Sequence, residues 1–265
     1  MSPPGIVLYD KPGGVTSHDV VATMRRRLGR GVKVGHAGTL DPFATGLLLI
    51  LVGRATRAQR FLTALPKTYR ALARFGAIST SGDPEGEIIE TGVVPEGELQ
   101  LPTGPLRQRP PAYSAVKVRG RRAYALARSG AQFELPERQV EVHRFEELSR
   151  DGAHREFLIE CSSGTYVRSL IAALGDAYCE RLRRTDIGPF RVQDADPELV
   201  VPLERALAFL PEVPLEDDQA RRAAHGGAVR GSAAGAVRLT DAGGLIGIGE
   251  PVDAHTVKPV VVLRG

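Results

Sequence analysis

At 265 residues, 42% of them hydrophobic and 25% charged, the chain can bury a sizeable core in one large or two modest domains, with no need of a metal or disulfide to hold it. A net charge of +4 is too mild to select a partner, and Cys161 and Cys179, which lack any C-x-x-C partner, exclude a zinc ribbon or a disulfide framework. They read as two buried thiols in a reducing compartment. The longest apolar run, Phe43 to Val52, is roughly half of what a bilayer span needs. The first ten residues lack the basic-then-apolar order of a secretory signal, so a cytoplasmic location is expected.

In chain order, Gly5 to Tyr9 reads as a strand broken by Asp10-Lys11-Pro12-Gly13-Gly14. Ser17 is the expected N-cap of a helix whose Val20, Val21, Met24 and Leu28 recur at helical spacing, ending in arginines and glycine. Leu47 to Val52 is a buried strand, and Tyr69, Ala71, Ala73 and Phe75 alternate with Arg70, Leu72 and Arg74 as in a strand with two unlike faces. Ser79 to Gly86 is a turn-rich loop, and Arg121 to Arg128, closed by Gly130, a short helix. Strands are expected at Val140 to Leu148 and Glu156 to Cys161, followed by a helix carrying Val167, Leu170, Ile171 and Leu174. Beyond an acidic, proline-containing stretch from Leu210 to Asp218, Ala236 to Leu239, Leu245 to Ile248 and Val260 to Leu263 suggest a small β-rich module. Helices and strands mix without regular alternation, which predicts an α+β fold.

Charge distribution says more than net charge. Every charged residue from Arg107 to Arg128 is basic, with Tyr113 and Tyr124 interleaved; Arg25, Arg26, Arg27 and Arg30 form a second cluster, and Arg181, Arg183 and Arg184 a third. One such patch is ordinarily a solvated face. Three together favour a phosphate backbone wrapping across the surface.

The densest local feature is Gly35-His36-Ala37-Gly38-Thr39-Leu40-Asp41-Pro42-Phe43-Ala44-Thr45-Gly46-Leu47-Leu48. Pro42 confines Asp41 to extended geometry, and Gly38 and Gly46 permit close approach of another backbone or a ligand. On these residues alone an Asp-Pro turn in a surface loop is the ordinary reading. The run resembles, however, the catalytic-aspartate motif of the bacterial tRNA pseudouridine-55 synthases, the TruB family. Further motifs of that family follow in order: Lys11 to Ser17 resembles its N-terminal motif, Lys67-Thr68-Tyr69-Arg70 the strand of its active-site tyrosine, and Cys161 to Arg168 the segment with its substrate-contacting tyrosine and buried arginine. Leu182-Arg183-Arg184-Thr185 with Gly188 and Phe190 is similar to the next block, and Pro110 to Gly130 to the RNA-gripping segment. One motif is weak; this many in one order are specific. The stretch between Gly175 and Leu182 is shorter than usual in the family.

The resemblance implies a pseudouridine synthase fold, mixed but mainly antiparallel, over residues 1–212, with an RNA-gripping insertion at about 107–137 and a PUA-like RNA-binding domain at 213–265. It implies isomerisation of uridine 55 in the T-loop of tRNA after the base is flipped out, with no cofactor and no metal. Asp41 is then the catalytic nucleophile or base. Arg168 pairs with it and lowers its pKa. Tyr69 stacks on the uracil and takes part in proton transfer. His36 fills the space the flipped base vacates, Tyr166 and Leu182 line the pocket, and Lys11 shapes its loop and touches phosphate. Lys117, Arg119, Arg121 and Arg122 grip the T-arm. His18, His143, His154, His225 and His255 are structural. The expected partner is tRNA alone, with no membrane and no obligate protein, and the chain is expected to be a monomer. The competing readings are a non-catalytic tRNA-folding chaperone and the guide-dependent subunit of an H/ACA ribonucleoprotein. Those guide-dependent chains generally carry N-terminal extensions, whereas the first motif here begins near Met1. A small-molecule enzyme with an Asp nucleophile would explain neither the basic patches nor the tail.

Overall fold

The computed structural model describes residues 4–264 apart from 30, 115, 119, 124, 125, 127, 128 and 130, and only the backbone of Lys117 and Arg122. Strand β1 (Gly5–Lys11) leads into helix α1 (Ser17–Leu28), then β2 (Val34–Ala37) and β3 (Thr45–Val52). A 3-10 turn and α2 (Gln59–Ala64) precede β4 (Lys67–Phe75), the hairpin β5 (Ala77–Ser79) and β6 (Ile88–Glu90), and β7 (Gly104–Gln108). The small pair β8 (Lys117–Val118) and β9 (Arg121–Arg122) is followed by the long strands β10 (Arg138–Asp151) and β11 (His154–Cys161). Then come α3 (Val167–Ala172), β12 (Ala177–Ile187), β13 (Phe190–Arg191), β14 (Val201–Pro202) and α4 (Leu203–Ala206). The chain ends with β15 (Glu212–Pro214), α5 (Asp217–Ala224), β16 (Val229–Arg230), β17 (Val237–Asp241), β18 (Gly244–Asp253) and β19 (Thr256–Val262).

Ten strands form one sheet in the order β14-β1-β3-β12-β4-β11-β10-β7, with β2 also on β3 and β13 on β12. Every pairing in it is antiparallel except β3 with β12. A second sheet of five strands, β15-β17-β18-β19-β16, is built from the tail. This is the α+β architecture expected from the sequence.

The apolar run of β3 is continuous because both its faces are covered. Leu47, Leu49 and Leu51 pack with Leu62 of α2 and Leu203 and Ala206 of α4, while Leu48, Ile50 and Val52 pack with Val20, Val21 and Met24 of α1. Each such fully buried aliphatic side chain stabilises the fold by about 2 kcal/mol. Strand β4 keeps the alternation seen in its sequence: Tyr69, Ala71, Ala73 and Phe75 are buried with Phe157 and Ile159 of β11 and Leu170 and Ile171 of α3. The two sheets share apolar packing, since Ile248 and Leu263 join the β3 cluster. Arg54 and Arg57 donate to the carbonyls of Leu263 and Val262 across that seam, at 3.2 and 3.0 Å.

Three expectations are corrected. Helix α1 is capped by Thr16, not Ser17: Thr16 Oγ1 accepts from Asp19 N (3.1 Å) and the Asp19 carboxylate accepts in turn from Thr16 N (2.8 Å), a capping box of about 1 kcal/mol. Ser17 turns inward to a different task. Strand β1 continues through Asp10 and Lys11, because pairing with Leu47 and Gly46 of β3 outweighs the turn propensity that begins there. Arg121 and Arg122 are extended and pair with Lys117 and Val118, so the helix expected from Arg121 does not start there, and residues 124, 125, 127, 128 and 130 of that segment lie outside the described residues. Among the described residues no helix is long and apolar enough to cross a membrane.

Candidate active site

The loop from Gly38 to Ala44 joins β2 to β3 and is tied down from several directions. Gly38 and Gly46 bracket it with φ of +87° and +105°, a region only glycine enters freely. A Cβ on Gly46 would lie 2.2 Å from the Arg184 carbonyl, so the close approach foreseen at this glycine is to the β12 backbone. Ser17 Oγ accepts from Leu40 N (2.9 Å) and donates to Leu40 O (3.2 Å), anchoring the loop to the start of α1. Gly14 N donates to Pro42 O at 2.9 Å. Lys11 is buried, and its Nζ donates to the carbonyls of Pro12, Val15 and Pro42 at 2.9, 2.8 and 3.2 Å. All three ammonium protons are thus directed at backbone, which corrects the expectation that Lys11 touches phosphate. Burial draws its pKa down to about 8 against the opposing charge of Asp41.

Asp41, in this loop, meets Arg168 in the first turn of α3: Arg168 Nε lies 2.9 Å from Asp41 Oδ2. Arg168 is 3% exposed and its other nitrogens are engaged. Nη1 donates to Asp83 Oδ2 (2.7 Å) and Ser81 O (2.8 Å), and Nη2 to Tyr113 O (2.8 Å). Asp83 is itself held by Ser81 Oγ (2.6 Å) and Glu85 N (3.0 Å). One buried cation therefore faces two carboxylates. The Asp41 side chain keeps 30% exposure, but the surrounding packing is dense enough that its carboxyl is raised above the usual range. Burial is the chief cause, countered by Arg168 and reinforced by the like charge of Asp83. The ion pair foreseen from the sequence is present, but the lowered pKa is not, because desolvation outweighs the single guanidinium.

Tyr69 is buried beside Leu40, Ala44, Ile171 and Leu182 in one apolar cluster. Its phenol is pushed up by burial and drawn back by the charge of Arg184. Leu182 stands opposite Ala71 in the β12–β4 register, on the Tyr69 side. Tyr166, close to Arg168 in sequence, is fixed by Gln108, which accepts from its backbone N (2.8 Å) and donates to its carbonyl (2.9 Å); the Arg138 guanidinium lies 5.6 Å from its ring centroid. His36 is on β2, half-buried, its ring edge-on to that of His18 at 5.6 Å. An open groove of about 680 Å³ adjoins the Asp41 loop, with Phe43, Thr45, Arg70, Leu72, Arg181 and Arg183 among its lining residues. A larger depression of about 1040 Å³ lies in the tail beside α5, among residues far in sequence from Asp41.

The structure thus brings Asp41 and Arg168 into contact, sets Tyr69 and Leu182 in the cluster that flanks the loop, and leaves Lys11 behind it. Of the RNA-gripping set, Arg121 is exposed, while Arg119 and the side chains of Lys117 and Arg122 lie outside the described residues. The third basic patch is divided. Arg183 pairs with Asp10 at 2.7 Å, and Arg184 is buried. Two residues were missed from the sequence. Asp83 sat in what read as a turn-rich loop, where a second Asp-Pro was the only signal. Arg184 was counted in a basic patch facing a phosphate backbone, whereas it is buried.

The ten-stranded mixed sheet with these clusters is a pseudouridine synthase fold. It superposes on the solved Cbf5–Nop10–Gar1 complex with a TM-score of 0.72 and 27% identity, covering 98% of this chain and 85% of that one. An H/ACA ribonucleoprotein bound to a substrate RNA containing 2'-deoxyuridine gives a TM-score of 0.71 and 25% identity, with the same coverage. Residues 25–167 match the TruB family pseudouridylate synthase N-terminal domain, and residues 211–263 the C-terminal domain of pseudouridine synthase II TruB. The tRNA pseudouridine synthase B of Thermobifida fusca is 42% identical, covering 98% of this chain and 99% of the relative. That of Aquifex aeolicus is 38% identical over 93% and 95%. The chain belongs to the TruB family of pseudouridylate synthases.

Proposed function

We propose that this protein isomerises the uridine at position 55 in the T-loop of tRNA to pseudouridine, with Asp41 as the reacting carboxylate. The observation that carries this reading is the Asp41–Arg168 ion pair on a loop fastened at both ends, in a chain of this family. The reaction breaks the bond from N1 to the ribose, turns the uracil and rejoins it through C5; the proton lost at C5 is balanced by one gained at N1. Asp41 serves as nucleophile toward the ribose or the ring, or as the base that takes a sugar proton. Arg168, itself buried, pairs with one oxygen of Asp41 and leaves the carboxylate partly exposed to the substrate. Tyr69, Tyr166 and Leu182 wall the pocket that retains the free base, and His36 takes the space the base leaves. Positioning of this kind accounts for a large part of a barrier when the reacting groups are fixed before the substrate arrives.

The T-loop uridine is tucked into tRNA tertiary structure and reaches Asp41 only when extruded. Lys117, Arg119, Arg121 and Arg122 clasp the T-arm, and a PUA-like domain at 213–265 extends from the catalytic domain at 1–212 toward the acceptor stem. The protein works as a cytoplasmic monomer with no obligate protein partner. Relatives matched over nearly their whole length and named for tRNA favour this over the guide-dependent reading. Asp41→Asn separates catalysis from chaperoning. The variant is expected to bind an unmodified tRNA transcript as the wild type does and to form no pseudouridine, without added cofactor in either case. Pseudouridine formed by Asp41→Asn at the wild-type rate would overturn the assignment.

A further inference from the structure

Arg184 is 1% exposed and, among the described residues, has no carboxylate within ion-pair distance. Its charge is met by backbone dipoles. Nε donates to Leu47 O at 2.7 Å, Nη2 to Gly38 O at 3.1 Å, and Nη1 reaches Thr39 O at 3.5 Å. The residue stands directly opposite Tyr69 in the β12–β4 register and opposite Gly46 in the β12–β3 register, and its charge draws the Tyr69 phenol down. A single planar guanidinium therefore ties the entry of the Asp41 loop to the strand that leaves it, on the residue that faces Tyr69.

Burying a cation without a counter-ion is costly, and an aliphatic side chain would fill the space at less expense to stability. The cost here is compounded, because Arg184 also helps depress the neighbouring ammonium groups of Lys67 and Lys11, each drawn down to about 8 chiefly by burial. A rigid fork of donors is the one feature an aliphatic residue cannot supply. Lysine cannot supply it either, since one ammonium cannot reach Leu47 O, Gly38 O and Thr39 O in the same plane.

We propose that Arg184 is a positioning residue: its guanidinium locks the Gly38–Thr39 entry of the Asp41 loop to Leu47 on β3, on the strand position that faces Tyr69, so that carboxylate and phenol are presented to the flipped base in a fixed mutual geometry. The proposal rests on the reading of Asp41 and Tyr69 given above. It differs from the role of Arg168, which contacts the carboxylate itself. Arg184 acts through the backbone two and three residues before Asp41, and through its charge on the tyrosine it faces.

The test compares Arg184→Lys and Arg184→Gln with wild type, alone and combined with Tyr69→Phe, on an unmodified tRNA transcript. Single-turnover rate, tRNA affinity and melting temperature are measured across pH. Arg184→Gln is expected to lower the single-turnover rate about a hundredfold, the scale set by displacing a catalytic group by roughly 1 Å. Affinity for tRNA should stay within about twofold, because no contact to the RNA backbone is removed. Arg184→Lys should recover part of the rate. The alkaline limb of the rate profile should move to higher pH in Arg184→Gln, since the cation that draws the Tyr69 phenol down is gone, and that displacement should vanish in Tyr69→Phe. Should Arg184→Gln fail to fold, Arg184→Lys carries the comparison. The proposal is overturned by a wild-type single-turnover rate in the folded variants, by a loss that matches the loss of folded protein, or by rate losses that simply multiply with that of Tyr69→Phe. Failure of the underlying reading is separately visible, as activity of Asp41→Asn.

Discussion

Replacing Arg168 by methionine removes the one cation that stands between Asp41 and Asp83. The guanidinium lies 2.9 Å from the first carboxylate and 2.7 Å from the second, in a site where Arg168 and Asp83 are almost fully buried. Coulomb's law at an effective dielectric of about 20 gives each pair about 6 kcal/mol of raw attraction. Desolvation offsets most of that, and breaking one side of a buried pair leaves a net cost of about 3–5 kcal/mol. For a chain of this size that is a fall in melting temperature of roughly 10 °C at neutral pH. The pH dependence is the sharper part. The Asp41 carboxyl is already raised in the folded protein, so its ionisation disfavours the fold; that penalty is absent below the unfolded carboxylate pKa and grows as pH rises through the folded one. Without Arg168 the folded pKa rises further, so the deficit of the variant should be small in acid and reach its full size above the carboxylate range. Urea unfolding of both proteins at a series of pH values from about 4 to 8 measures the difference directly, and the acid limb of the pseudouridylation rate should move to higher pH in step with it. A stability deficit that stays constant over that range would refute the electrostatic account of the site.

Asp83→Asn keeps an acceptor for Arg168 but removes the like charge that raises Asp41. The acid limb of the rate profile should therefore move to lower pH while the plateau falls about tenfold as Arg168 loses its charged anchor; a limb that stays in place or moves up would contradict the assignment of Asp83. Joint reversal of Arg121 and Arg122 to glutamate should weaken tRNA binding at least about tenfold at moderate salt and flatten the dependence of affinity on salt, with an unchanged melting temperature. Equal affinity of the two proteins would remove these residues from the interface. Lys11→Met tests the buried ammonium. With its folded pKa near 8 against the unfolded 10.5, the unfolded chain holds more protons in that window, so the Lys11 contribution to wild-type stability rises with pH between those values. The variant's stability curve should lack that rise, and parallel curves would show that Lys11 is not desolvated.

Local pattern determined much of this protein. The alternation through β4 follows from period-two geometry with one covered face, and the unbroken apolar run of β3 from cover on both faces. The order of short motifs marked Asp41, Tyr69 and Arg168 as one group, and the ion pair of Asp41 with Arg168 joins segments far apart in the chain. Tertiary structure decided what depends on partners distant in sequence. Ser17 has every attribute of an N-cap, yet Thr16 takes that place and Ser17 serves the Asp41 loop, because the choice is made by where Leu40 lies. Arg183 and Arg184 are adjacent and alike in composition, but the pleat of β12 sends the first to an exposed ion pair with Asp10 and the second into the interior beside Tyr69. Asp83 is one acid in a loop of turn formers until folding sets it against Arg168. The net direction of the Asp41 pKa shift was decided the same way: a neighbouring guanidinium can be inferred from a motif, whereas desolvation and the second carboxylate are properties of the packed site.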